Sequence, residues 1–199
     1  MTNAISTIKA ELRSAMNGVA SRAIRESGMA YKLNFGVELL RLRQIAAGYT
    51  PDRRLAQELW QEPVRECKML AILLYPSEEF DVDMANLWIE SLVPEQAELA
   101  QLMAMERLSG LPDAAELAFH WMASEQTLFQ LCGFLVITRL LMQGRVLSPD
   151  AAAEFLDQAA ATVPSSFLPL RKAATNALLH YSETSPEAER AVAKIFDRP

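Results

Sequence analysis

Leu55-Ala56-Gln57-Glu58-Leu59-Trp60, followed after a short break by Val64-Arg65-Glu66-Cys67-Lys68-Met69-Leu70-Ala71, decides the fold. The two stretches read as short amphipathic helices joined by a turn at Pro63. In the second, Val64, Cys67, Ala71 and Leu74 recur at steps of 3, 4 and 3, which places them on one helical face. Helices this short cannot bury a face alone and must stack with further pairs.

The rest of the chain carries the same signature. Phe35, Leu39, Leu42 and Ile45 form one stripe, and Phe167, Leu170, Ala174, Ala177 and Tyr181 form another. Three helix starts are marked by a hydroxyl residue, a proline and an acid: Thr50-Pro51-Asp52, Ser148-Pro149-Asp150 and Ser185-Pro186-Glu187. Breaks at Gly48, Pro63, Pro76, Pro94, Gly110-Leu111-Pro112, Gly144 and Pro164 cut the chain into pieces of helical length. The reading predicts about eleven helices, among them one near 3–25, one over 34–47 and one starting at 51. The segment Gly133 to Leu141 is apolar nearly all round, with only Thr138 and Arg139 polar, which predicts a central core helix. Antiparallel stacking of such pairs is an all-α, solenoid architecture. One domain is expected over 1–199, with an N-terminal helical extension at 1–28, a repeat core at 29–182 and a C-terminal helix at 183–199.

Composition agrees. The 199 residues are 51% hydrophobic and 22% charged with only 7 glycines, a balance that suits one helical core better than a sheet rich in tight turns. The two cysteines, Cys67 and Cys132, lie in apolar helical patterns without C-x-x-C spacing and read as buried hydrophobes in a reducing compartment. Met1 to Ala10 has no signal-peptide pattern, and the apolar run Leu131 to Ile137 is far short of the ~18 residues of a membrane span. These features lead to an expectation of a cytoplasmic protein without a membrane partner.

Charge is unevenly spread. Residues 1 to 68 carry 11 Lys or Arg against 7 Asp or Glu, for +4. Residues 69 to 164 carry 3 against 14, for −11, and residues 165 to 199 carry 5 against 4, for +1. Binding to nucleic acid needs cations that displace counterions from phosphates, so the middle of the chain argues against it. Arg41, Arg43, Arg53, Arg54, Arg65 and Lys68 form a basic cluster on the early helices. That cluster either grips phosphates or an acidic partner, or is a solvated face paired with Glu38, Glu58, Glu62 and Glu66.

Few residues suggest chemistry. His120 and His180 are sixty residues apart in sequence, have no second ligand at metal spacing, and lie near predicted helix ends. The acidic run Glu78-Glu79-Phe80-Asp81-Val82-Asp83 fits no EF-hand spacing and precedes a helix start. No metal and no cofactor is expected, and no P-loop, G-x-S-x-G, H-E-x-x-H or G-x-G-x-x-G occurs.

The Leu55–Ala71 block resembles the helical repeats of the DNA alkylation repair glycosylases. The resemblance extends to Met84-Ala85-Asn86-Leu87-Trp88-Ile89, to Phe129 through Ile137, and to Phe167 through Leu178, so that it covers about Tyr31 to Ser182. It implies a HEAT-like α-solenoid, a right-handed superhelix of antiparallel helix pairs, whose groove holds duplex DNA in active members. Their chemistry needs a carboxylate at the glycosidic bond, aromatic walls around a cationic base and Arg or Lys on phosphates. In the family the acid ends a Trp-Asp-x-x-Asp motif. Aligned without a gap, Glu95 stands for the Trp, Gln96 for the first Asp and Leu99 for the catalytic Asp. A one-residue shift offers Glu98 as the acid. The second family Trp falls on Asn176, the paired basic residues of the central helix fall on Gln130 and Leu131, and only Arg171 and Lys172 remain.

The resulting expectation is a HEAT-like member of the family without glycosylase activity, acting as a scaffold for a protein or peptide partner. The alternative is a divergent DNA-binding or alkylpurine glycosylase protein that uses the N-terminal cluster together with Arg171 and Lys172.

Overall fold

The computed structural model describes residues 2–29 and 31–197, with the side chains of Thr2 and Asn3 left aside. Twelve α-helices and three short 3-10 turns account for the regular structure among the described residues, and the one β-bridge joins Leu33 to Val64. The all-α expectation holds. None of these helices is long and apolar enough to cross a membrane.

The chain forms two compact units, Met1–Arg107 and Leu108–Pro199, whose boundary falls inside the expected 29–182 core. The first contains α1 (Thr2–Ser14), α2 (Gly18–Glu26), α3 (Leu39–Ala46), α4 (Arg53–Gln61), α5 (Arg65–Leu74), α6 (Val82–Glu90) and α7 (Ala97–Glu106). Here α5 is central, packing against α3, α4 and α7. Eight of its ten residues are buried, including Cys67, Leu70, Ala71 and Ile72.

The second unit contains α8 (Ala114–Met122), α9 (Thr127–Met142), α10 (Pro149–Thr162), α11 (Leu168–Ser182) and α12 (Pro186–Phe196). The apolar helix predicted around Gly133 is α9, which packs on α8 and α11 and buries Phe134, Val136 and Ile137 completely. Gly133 sets the α8–α9 approach. A Cβ there would lie 2.6 Å from the Ala118 carbonyl oxygen and 2.6 Å from Met122 Cγ, closer than atoms tolerate.

Three expected boundaries differ. The helix expected over 3–25 is two helices, because Asn17 takes extended backbone, caps α2 by accepting from Ala20 N at 3.1 Å, and donates its own N–H to Phe35 O. The helix expected from 34 begins at Leu39. Residues 34–38 are non-helical because a side chain, Glu66, accepts from Phe35 N and Val37 N, and Gly36 takes φ +68, where a Cβ would lie 2.4 Å from the Asn17 carbonyl oxygen. At 50–52 the cap is Asp52, which accepts from Leu55 N at 2.6 Å, and α4 starts at Arg53. Ser148 and Ser185 cap α10 and α12 as their sequence pattern predicts.

Candidate functional site

The carboxylate nearest the family's catalytic position is already engaged. Glu98, on α7, accepts from Arg65 Nε and Nη2 on α5, both at 2.7 Å. Arg65 Nη1 also donates to Val37 O at 3.3 Å and to Glu66 Oε1 at 3.2 Å. Glu66 is fully buried and holds the 34–38 segment through its two backbone bonds. Burial works to lower the Arg65 pKa, but the hydrogen bonds and charge of Glu98 and then Glu66 outweigh it and hold the guanidinium above its ordinary value. The Tyr31 hydroxyl is buried beside this network without a well-formed hydrogen bond. Burial first, and the negative Glu98 second, push its pKa far above the ordinary phenol value. Each Glu98 oxygen accepts one guanidinium N–H, a bidentate pair that ties the carboxylate to α5.

The other positions that the resemblance aligns with family chemistry are placed as follows. Leu99 is completely buried. Glu95 is exposed in the 3-10 turn Pro94–Gln96, and Gln96 Oε1 accepts from Val93 N at 3.4 Å. On α9, Gln130 Nε2 donates to Ser124 O at 2.7 Å, while Leu131 is in the core. Asn176 is exposed on α11.

The six-residue N-terminal cluster is mostly occupied within its own unit. Arg43 pairs with Glu106 at 2.6 Å, Arg54 with Glu58 at 3.0 Å, and Arg65 with Glu98 and Glu66. Lys68 Nζ donates to Trp60 O at 2.5 Å and lies 4.7 Å from the Trp60 ring centroid, and burial lowers its pKa. Arg41 donates to Gln44 Oε1 from an exposed position, and Arg53 is exposed as well. The expected histidine placements hold. His120 is exposed in the last turn of α8, and His180 meets Glu183 at 3.3 Å near the end of α11. Among the described residues no group of His, Cys, Asp and Glu is arranged to hold a metal.

Charge in the second unit is segregated by helix. Neither α9 nor α11 contains an Asp or Glu, yet they carry Arg139, Arg171 and Lys172. The helical acids lie on α8 (Glu116), α10 (Asp150, Glu154, Asp157) and α12 (Glu187, Glu189), and Asp113, Glu125, Glu183 and Asp197 flank the helix ends. Arg171 and Lys172 are exposed; Arg171 makes one 3.4 Å bond to Ser165 O. Arg139 is half-buried with its Nε lacking a partner. Helices α9 and α11 pack against each other, and the Lys and Arg they carry between them are Arg139, Arg171 and Lys172. Sequence reasoning passed over Arg139, although a single charge in so apolar a helix was its signal.

Comparison with known proteins agrees with the fold. The sequence profile described as "DNA alkylation repair enzyme" matches residues 8–194. No curated protein shows significant sequence similarity to the chain. A solved structure described as "A new family of proteins related to the HEAT-like repeat DNA glycosylases with affinity for branched DNA structures" aligns with a TM-score of 0.79 at 19% identity, covering 96% of this chain and 80% of that one. With a HEAT-like helical fold and a profile match over nearly its whole length, the chain belongs to the DNA alkylation repair enzyme family.

Proposed function

We propose that this protein binds DNA and does not excise bases. The observation that carries the reading is the α9–α11 pair, which bears Arg139, Arg171 and Lys172 and no acid. Cations free of intramolecular carboxylates are what counterion release from phosphates requires. The affinity for branched DNA named for the solved relative supports the same ligand class. The competing reading, a protein scaffold without affinity for DNA, rests on the −11 of residues 69 to 164, and none of those 14 acids is on α9. Loss of excision follows from the Arg65–Glu98 clasp and the buried Leu99.

Fluorescence anisotropy with a labelled duplex and a labelled four-way junction, at several salt concentrations, tests the binding. The double variant Arg171→Glu/Lys172→Glu changes two exposed side chains and should weaken binding at least tenfold. Binding that is unchanged in this variant, or undetectable in the wild-type protein at low salt, overturns the proposal. Excision is tested separately. The protein should release N3- and N7-alkylated purines from duplex DNA no faster than they leave spontaneously, and release abolished by Glu98→Gln would restore Glu98 as a catalytic acid.

A further inference from the structure

A cleft of about 400 Å³ opens between α4 and α6, within the usual size range of ligand pockets. Its apolar lining is Met84, Leu87, Trp60 and Trp88. That lining is rigid. The two indoles stack with centroids 4.2 Å apart and planes 4° from parallel, and Trp60 Nε1 donates to Ser91 Oγ at 3.1 Å. Tyr75 and Phe80 meet Trp88 edge-on behind it. Leu87, by contrast, is 57% exposed, an apolar side chain at the mouth of the cleft with nothing covering it.

The rim is acidic. Asp83 and Glu90 lie four residues before and three after Leu87, on the same face of α6, and both are exposed. Across the cleft Glu58 holds Arg54, the one cation lining it, at 3.0 Å. Asp83 and Glu90 have no cationic partner among the described residues. A rim of this sign repels phosphates, so the cleft is no extension of a DNA surface. Its complement is a polypeptide with a bulky apolar side chain between cations. The Gln57 and Gln61 amides on α4 supply both a donor and an acceptor for an extended backbone.

We propose that the α4–α6 cleft docks a short basic peptide segment of another protein, seating one large apolar side chain against Leu87 and Met84 with flanking Lys or Arg on Asp83 and Glu90. The indole N–H signals of Trp60, Trp88 and Trp121, the last on α8 of the second unit and outside the cleft lining, followed by NMR in the full chain, report on it. The blocked tetrapeptide Arg-Leu-Phe-Arg should shift the Trp60 and Trp88 signals and leave Trp121 in place. Glu-Leu-Phe-Glu and Arg-Ser-Ser-Arg should shift neither. Leu87→Glu should weaken the response at least tenfold without altering DNA binding, and Asp83→Lys/Glu90→Lys should reverse the preference to the acidic peptide. An equal response to the acidic peptide, or a Trp121 shift as large as the others, overturns the proposal. So do Trp60 and Trp88 shifts that depend on protein concentration without peptide, which would mean that a second copy fills the cleft.

Discussion

Arg65 shows how much one side chain organises in the first unit. Its guanidinium joins α5 to α7 through Glu98 and to the 34–38 segment through Val37 O and Glu66. Removing one partner of a buried ion pair costs more than the pair contributes, because the other charge stays desolvated. Glu98→Gln should therefore lower stability by about 2–3 kcal/mol in urea denaturation, somewhat below the range for a wholly buried pair, since Glu98 keeps some access to water. A stability change near zero would show that Glu98 is held for something other than structure. The cysteines allow a second test. Burial, and then the nearby negative Glu62, push the Cys67 thiol up to about 12, and burial also pushes the Cys132 thiol up. Both thiols should be inert to a disulfide reagent at neutral pH and react only on unfolding. With the folded pKa raised, the stability linked to Cys67 is fully present below the ordinary thiol value near 9 and is lost as pH rises towards 12. Alkaline denaturation curves compared with Cys67→Ala measure that loss.

Among the elements, α9 is the one whose environment tolerates least. Its Gly133 has no space for a methyl group against the backbone of α8, and backbone yields less readily than a flexible side chain. Gly133→Ala gains helix propensity of about 1 kcal/mol but should lose about 1–3 kcal/mol to overpacking, for a net destabilisation read from the thermal or urea midpoint. The start of α4 makes a sharper comparison. Asp52 caps the helix and Thr50 does not, so Asp52→Ala should cost about 1 kcal/mol while Thr50→Ala changes little. Equal effects would move the cap back to Thr50, where the Thr-Pro-Asp pattern places it.

Across the whole molecule, charge summed along the sequence differs from charge on any one surface. The −11 of residues 69 to 164 includes acids on α6, α7, α8 and α10 and in the connecting turns, whereas α9 in the same stretch holds a single Arg. Three cations on α9 and α11 set the expected salt dependence. The logarithm of the DNA affinity should fall with the logarithm of salt at a slope of roughly −3, and Arg171→Glu/Lys172→Glu should reduce that slope by roughly 2. A slope unaffected by the double variant would place the phosphate contacts elsewhere, with Arg41 and Arg53 the exposed remainder of the N-terminal cluster.

The helical class, most helix positions and the central place of α9 were legible from the sequence alone. They follow from local causes: apolar spacing, caps, and proline or glycine breaks act within a few residues. The residues at the positions that the resemblance aligns with the family acid and aromatics, Leu99, Glu95 and Asn176, were equally readable, because residue identity needs no coordinates. Tertiary structure alone decided the partners of charged groups. Arg65 meets Glu98 across 33 residues and Glu66 reaches back 31 to Phe35, so a helix expected from 34 is instead a non-helical segment, and three of the six cations of the basic cluster are paired with carboxylates. It also decided which helices are neighbours, α9 and α11 among them, since elements far apart in sequence meet only on packing. Those pairings depend on distances of a few ångströms between residues that linear order does not relate, and electrostatic energy at such contacts depends on burial as much as on sign.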